Sequence, residues 1–183
     1  MEGLEFFIVN DHLWVNTDDG RSLQVTEGDT EFIQNLSSII RERYPEAYKA
    51  LAKEYQKCAI NHNYFQFLIV RRFCKCNFGE LDTTKIDFDK SGKFNFEKVK
   101  CPLRGECKFD GVVCMPKFNS QLSDAEMRVM RLVYDGMNKE EIAGQLFLSP
   151  HTVKNHVKSA YCKLGIHEKS EFIKYANENN LFK

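Results

Sequence analysis

LSDAEMRVMRLVYDGMNKEEIAGQLFLSPHTVKNHVKSAYCKLGI, residues 122–166, decides the fold of the C-terminal third. Ser123 is placed to cap a helix, and Glu126, three residues on, completes a capping box. Val129, Met130 and Val133 then fall on one face, and Gly136 stops the helix. Asn138 starts a second, short helix through Ile142 and Leu146. Ser149 caps a third, with Pro150 at the first position, where a missing N–H costs nothing. Val153, Val157, Tyr161 and Leu164 form its apolar stripe, and Gly165 ends it. A fourth helix follows, with Phe172, Ile173, Tyr175 and Ala176 as apolar positions. Two short helices joined by a tight turn, the second well capped, are helix-turn-helix architecture. Lys154, Asn155 and Lys158 lie opposite the apolar stripe, where long donor side chains reach base edges in a major groove. Periodicity alone leaves open a plain helical bundle with a solvated lysine face.

The segment resembles the LuxR/GerE-type DNA-binding domain. The resemblance runs from Leu122 to about Ala176. It rests on Leu122-Ser123 and Glu126, Val129-Met130, Gly136, Lys139-Glu140-Glu141-Ile142-Ala143, Leu146, Leu148-Ser149, Thr152-Val153-Lys154-Asn155-His156 and Lys163-Leu164-Gly165-Ile166. It implies four helices with the third, about 149–164, as the recognition helix, and double-stranded DNA as partner. Lys154, Asn155 and Lys158 would face bases, whereas Lys139, Thr152 and Lys163 would meet phosphate. Val153 and His156 match the pattern with packing roles. A homodimer on two half-sites, joined through the fourth helix, is implied as well. Asn138-Lys139-Glu140-Glu141 carries an extra acidic residue near the expected backbone contact, and Cys162 is expected to pack or lie on the surface.

Working outward, the chain has 183 residues and a net charge of zero, so nucleic acid would have to meet a local patch rather than a global basic field. Split near Phe118, the front holds 17 Lys and Arg against 18 Asp and Glu, and the rear 9 against 8, so charge does not separate the two parts. MPKFNSQ, residues 115–121, reads as a linker, which predicts an α+β domain over 1–117 and an all-α, four-helix helix-turn-helix domain over 118–183. The N-terminal MEGLEFFIVN carries acidic residues where a signal peptide needs basic ones, and no long apolar run follows. A cytoplasmic protein with no membrane span is expected. In a reducing compartment, seven cysteines, an odd number, point to metal or redox chemistry rather than structural disulfides.

In the front part, LEFFIV, HLWVN and SLQVT read as strands. Thr26 or Asp29 is placed to cap a helix with Phe32, Ile33, Leu36, Ile39 and Ile40 at helical spacing. Pro45 opens a second helix, on whose face Cys58 is expected in the core. YFQFLIVRRF, read as helical although its β-branched and aromatic residues leave a strand open, leads into Cys74 and Cys76. KIDFD and KFNFEKV alternate about Gly92 and predict a β-hairpin over 84–99, followed by the cysteine-rich CPLRGECKFDGVVC, residues 101–114. The order is α+β, not the alternating strands and helices of a receiver domain. Asp87-x-Asp89-x-Ser91-Gly92 begins like a calcium loop but has Lys98 where the twelfth-position Glu is needed.

Tetrahedral zinc needs four thiolate or imidazole ligands. Cys76, Cys101, Cys107 and Cys114 form the expected set, with Cys74 as a spare and the hairpin bringing the halves together. Zn2+ is the expected ion, and an iron–sulfur cluster or a thiol switch are alternatives. The front part holds only His12 and His62, neither metal-spaced, and no nucleophile elbow, Walker loop or paired-carboxylate motif, so no enzyme is expected. The reading is a DNA-binding transcription regulator whose front domain dimerises or senses. The alternatives are a redox-sensing regulator and an interaction adaptor with a vestigial helix-turn-helix.

Overall fold

The computed structural model describes residues 3–79, 81, 86–90, 92–179 and 181–182. It divides into two compact units, Met1–Lys117 and Phe118–Lys183.

The first unit opens with an antiparallel sheet in the order β1 (Glu5–Val9), β2 (His12–Asn16), β3 (Ser22–Gln24). Asn10 and Asp11, both at positive φ, make the tight β1–β2 turn, a conformation these residue types tolerate best after glycine. Phe6, Leu13 and Val15 are buried against α1 (Thr30–Arg43), α2 (Pro45–Glu54) and α3 (His62–Asn77), through Ile33, Leu36, Ile40, Leu51, Ile69 and Phe73. Asp29 occupies the N-cap of α1, but its carboxylate accepts from the Thr26 N–H and hydroxyl instead of capping the helix. Cys58 sits half-buried in a 3₁₀ turn after α2, Gln56–Cys58, and not in the core expected for it, because the helix ends four residues earlier.

After α3 the chain is irregular. Of the hairpin expected over 84–99, residues 84, 85 and 91 lie outside the described set. The remainder forms bridges and no named strand. Phe88 bridges Phe94 on one side and Leu4 on the other, and Asp89 and Lys93 close the turn, with Gly92 at φ 76°. Aliphatic side chains are scarce here, and rings do their work. Phe73, Phe78, Phe88, Phe94, Phe96 and Tyr44 form one cluster with centroids 4.9–5.9 Å apart, the tilted and offset spacing aromatic pairs prefer. Residues 101–114 are a chain of turns with Phe109, Val113 and Cys114 buried.

The second unit is built from α4 (Asp124–Tyr134), α5 (Lys139–Leu146), α6 (Pro150–Leu164) and α7 (Lys169–Glu178). Val129, Met130, Val133, Ile142, Val153, Ala160, Phe172 and Ala176 are its buried centre. No helix among the described residues is long and apolar enough to cross a membrane.

Candidate nucleic-acid interface and thiol cluster

Three serine or asparagine caps set the helix-turn-helix. Ser123 and Glu126 satisfy each other's backbone at the start of α4, and Asn138 and Glu141 do so at α5. The Ser149 hydroxyl accepts from Thr152 N–H at 3.0 Å to start α6, with Pro150 in its first turn. Between α5 and α6 the chain reverses through Phe147, which adopts a left-handed conformation (φ 54°) and is almost fully exposed. Gly165 ends α6 in the same conformation.

α6 hides Val153 and Ala160 and turns Lys154, Asn155 and Lys158 to solvent. His151 and Cys162 complete the same exposed stripe, because 151, 154, 155, 158 and 162 follow the helical repeat. Sequence reasoning passed over His151 as part of that face; its spacing from Lys154 was the available signal. A groove of about 660 Å³ runs along the flank of α6 over Ile142, Val153 and Val157, and Lys139, Lys154 and Lys158 all line it. Lys139 comes from the start of α5, so two helices deliver these three cations to one opening.

The remaining predicted contacts are placed differently. The Thr152 hydroxyl lies 2.9 Å from that of Ser149, inside the cap. Lys139 is exposed and 3.4 Å from Glu140, while Glu141 is occupied by the capping box. The Lys163 ammonium donates to the Glu126 carboxylate at 2.6 Å, and Ser159 donates to its other oxygen at 2.6 Å. Lys163 therefore clamps α6 to the start of α4. Lys163 first, then Ser159 and the Ser123 N–H, hold the Glu126 carboxyl down to about 2 from its ordinary 4.5. Val153 is buried and His156 half-buried, in keeping with packing.

Residues 120–176 match the family model described as bacterial regulatory proteins, luxR family. The C-terminal unit is a LuxR-family helix-turn-helix domain. The LuxR match leaves the front unit uncovered, and no solved structure matches the chain. The match supports a DNA-binding, transcription-regulating role for the α4–α7 region.

In the front unit the cysteines divide by helix face. Cys74 and Cys76, two residues apart on α3, point about 200° around the helix from each other. Cys74 is fully buried, and Cys76 faces the 101–114 turns, where it interacts with Cys114 and Cys107. Asn77 holds this arrangement. Its amide donates to Val113 O at 2.8 Å and its oxygen accepts from Met115 N–H at 2.8 Å, gripping both neighbours of Cys114 beside Cys76. The Arg72 guanidinium lies over the Phe109 ring, 5.3 Å from its centroid, and meets Cys76 and Cys107 electrostatically. Burial pushes the Cys76 thiol up and the Cys114 thiol to about 12. Cys101 and Cys107 are half-buried in consecutive turns. Among the described residues, the one group of three ligand-type side chains with all ligand atoms within 4.8 Å of one another is Glu5, Asp87 and Glu97, not the cysteines. Asn77 brings Cys114 beside Cys76, and Cys107 is close enough to Cys76 to interact with it electrostatically.

Proposed function

We propose that the chain is a sequence-specific transcription regulator that binds double-stranded DNA as a homodimer on two half-sites, with α6 in the major groove. Lys154, Asn155 and Lys158 meet base edges, and Lys139, with the backbone around Thr152, meets phosphate. The observation that carries this reading is the delivery of Lys139, Lys154 and Lys158 to one opening beside a helix whose exposed stripe is polar. Lys163 serves chiefly as the Glu126 clamp, and its share in phosphate contact is secondary. Selection from random duplexes should enrich one inverted or direct repeat of half-sites. A protein that enriches nothing and shows no salt-dependent duplex binding would be the interaction adaptor instead.

The front unit dimerises or senses, and a metal held by Cys76, Cys101, Cys107 and Cys114 closes its last segment. Zinc suits the set: soft thiolates in a small, partly buried turn segment, with Arg72 and Arg104 near to offset the charge of four thiolates. The Asn77 grip supports it, because it fixes two of the four donors before any ion arrives. Elemental analysis of anaerobically purified protein should find one zinc per chain, lost in Cys107→Ser and retained in Cys74→Ser. Protein without metal, or a brown iron-containing protein, would contradict the zinc assignment.

A further inference from the structure

On the surface of the front unit, a cavity of about 200 Å³ is lined by Asp11, Tyr55, Leu68, Arg71, Arg72 and Lys75. Three of its six lining residues are cations and one is a carboxylate. Arg71 and Lys75, one helical turn apart on α3, share that carboxylate: both hydrogen-bond Asp11, and Arg71 Nε also donates to the Asp11 backbone oxygen at 3.0 Å. The Arg72 Nε is buried with no hydrogen-bond partner among the described residues. Even with Arg72 assigned to the nearby thiols, two cations face one carboxylate. A solvated surface ion pair does not need a recess lined by three cations or a buried guanidinium Nε without a partner among the described residues.

We infer that this cavity is a binding site for a small oxyanion, such as a phosphate group or a compact dicarboxylate. The anion would take donors from Arg71, Arg72 and Lys75, with Tyr55 and Leu68 completing the wall. Planar guanidinium groups suit such oxygens because they donate two parallel hydrogen bonds. The size limits the ligand. Drug-sized and nucleotide-sized ligands fill roughly 300–1,000 Å³, so a phosphate ion or a short phosphorylated or dicarboxylic acid fits where a nucleotide does not. Asp11 is the internal competitor: the incoming anion replaces its carboxylate on Arg71 and Lys75. This site stands apart from the helix-turn-helix reading, and its test does not involve DNA.

The test is thermal unfolding of the full chain in inorganic phosphate and, separately, in malonate, each compared with chloride at matched ionic strength. A saturable rise in the front unit's Tm is expected, on the order of 10 °C at a hundredfold excess over Kd. The anion giving the larger rise identifies the oxyanion class. Arg71→Gln with Lys75→Gln should abolish the rise. Asp11→Asn keeps a residue suited to the positive φ of the turn and removes the competitor, so it should tighten binding roughly two- to fivefold. A Tm that follows ionic strength alone, a double variant that responds like the parent, or no tightening in Asp11→Asn would overturn the assignment.

Discussion

At the scale of single residues, Glu126 has the best-defined electrostatic role. Its carboxylate caps α4 and receives Lys163 and Ser159 from α6. Its folded pKa, about 2, lies below the ordinary 4.5, so the ionised form is the one the fold stabilises. That contribution is complete above the unfolded value and is lost as pH falls from about 4.5 towards 2. Glu126→Gln is expected to destabilise the C-terminal unit by about 1–3 kcal/mol at pH 7, with the difference shrinking through the same acid window. Urea unfolding at several pH values checks this, and a difference that does not shrink below pH 4 would contradict it. Lys163→Ala should weaken the same clamp, separating it from Lys139→Ala, which should leave stability unchanged and lower the salt slope of DNA binding by about 0.9.

At the scale of elements, α3 and the segment after Lys100 meet at Asn77. Asn77→Ala removes one buried and one partly buried hydrogen bond to the 113–115 backbone and leaves Val113 O and Met115 N–H to find other partners. A loss of about 2–4 kcal/mol in the front unit is expected, together with weaker zinc retention against a chelator. Unchanged retention would mean that the cysteines organise themselves without the clamp. Ser149→Ala should cost about 1 kcal/mol in the other unit through its lost cap. The elements differed in how legible they were in the sequence. α4 to α6 could be read almost to the residue, because Ser123, Asn138 and Ser149 mark starts and Gly136 and Gly165 mark stops. The three strands were equally plain. Asn77 was not legible, since a polar residue at a helix end usually faces water, and only the 36-residue jump to Val113 explains its burial. The hairpin after it was legible as alternation, but its phenylalanines pack as a ring cluster rather than as a regular ladder. The spacing of the cysteines indicated a site, and helical phase, not spacing, separates Cys74 from Cys76.

At the scale of the whole molecule, the two units divide the work. The C-terminal unit matches a DNA-binding family, and the front unit carries the thiol cluster and the oxyanion cavity. If the front unit holds zinc as proposed, a chelator should lower its melting transition and leave that of residues 118–183 in place, as separate calorimetric peaks would show. A single transition that moves as one would contradict the division. The central claim is that α6 reads DNA through Lys154, Asn155 and Lys158. The most direct test is fluorescence-anisotropy binding to the selected duplex and to random duplex over a range of salt, for the parent protein and Lys154→Ala with Lys158→Ala. The account predicts that the parent prefers the selected site, with log K falling linearly in log salt, and that the double variant loses at least tenfold affinity and most of its preference. Equal affinity and preference in both proteins would contradict it.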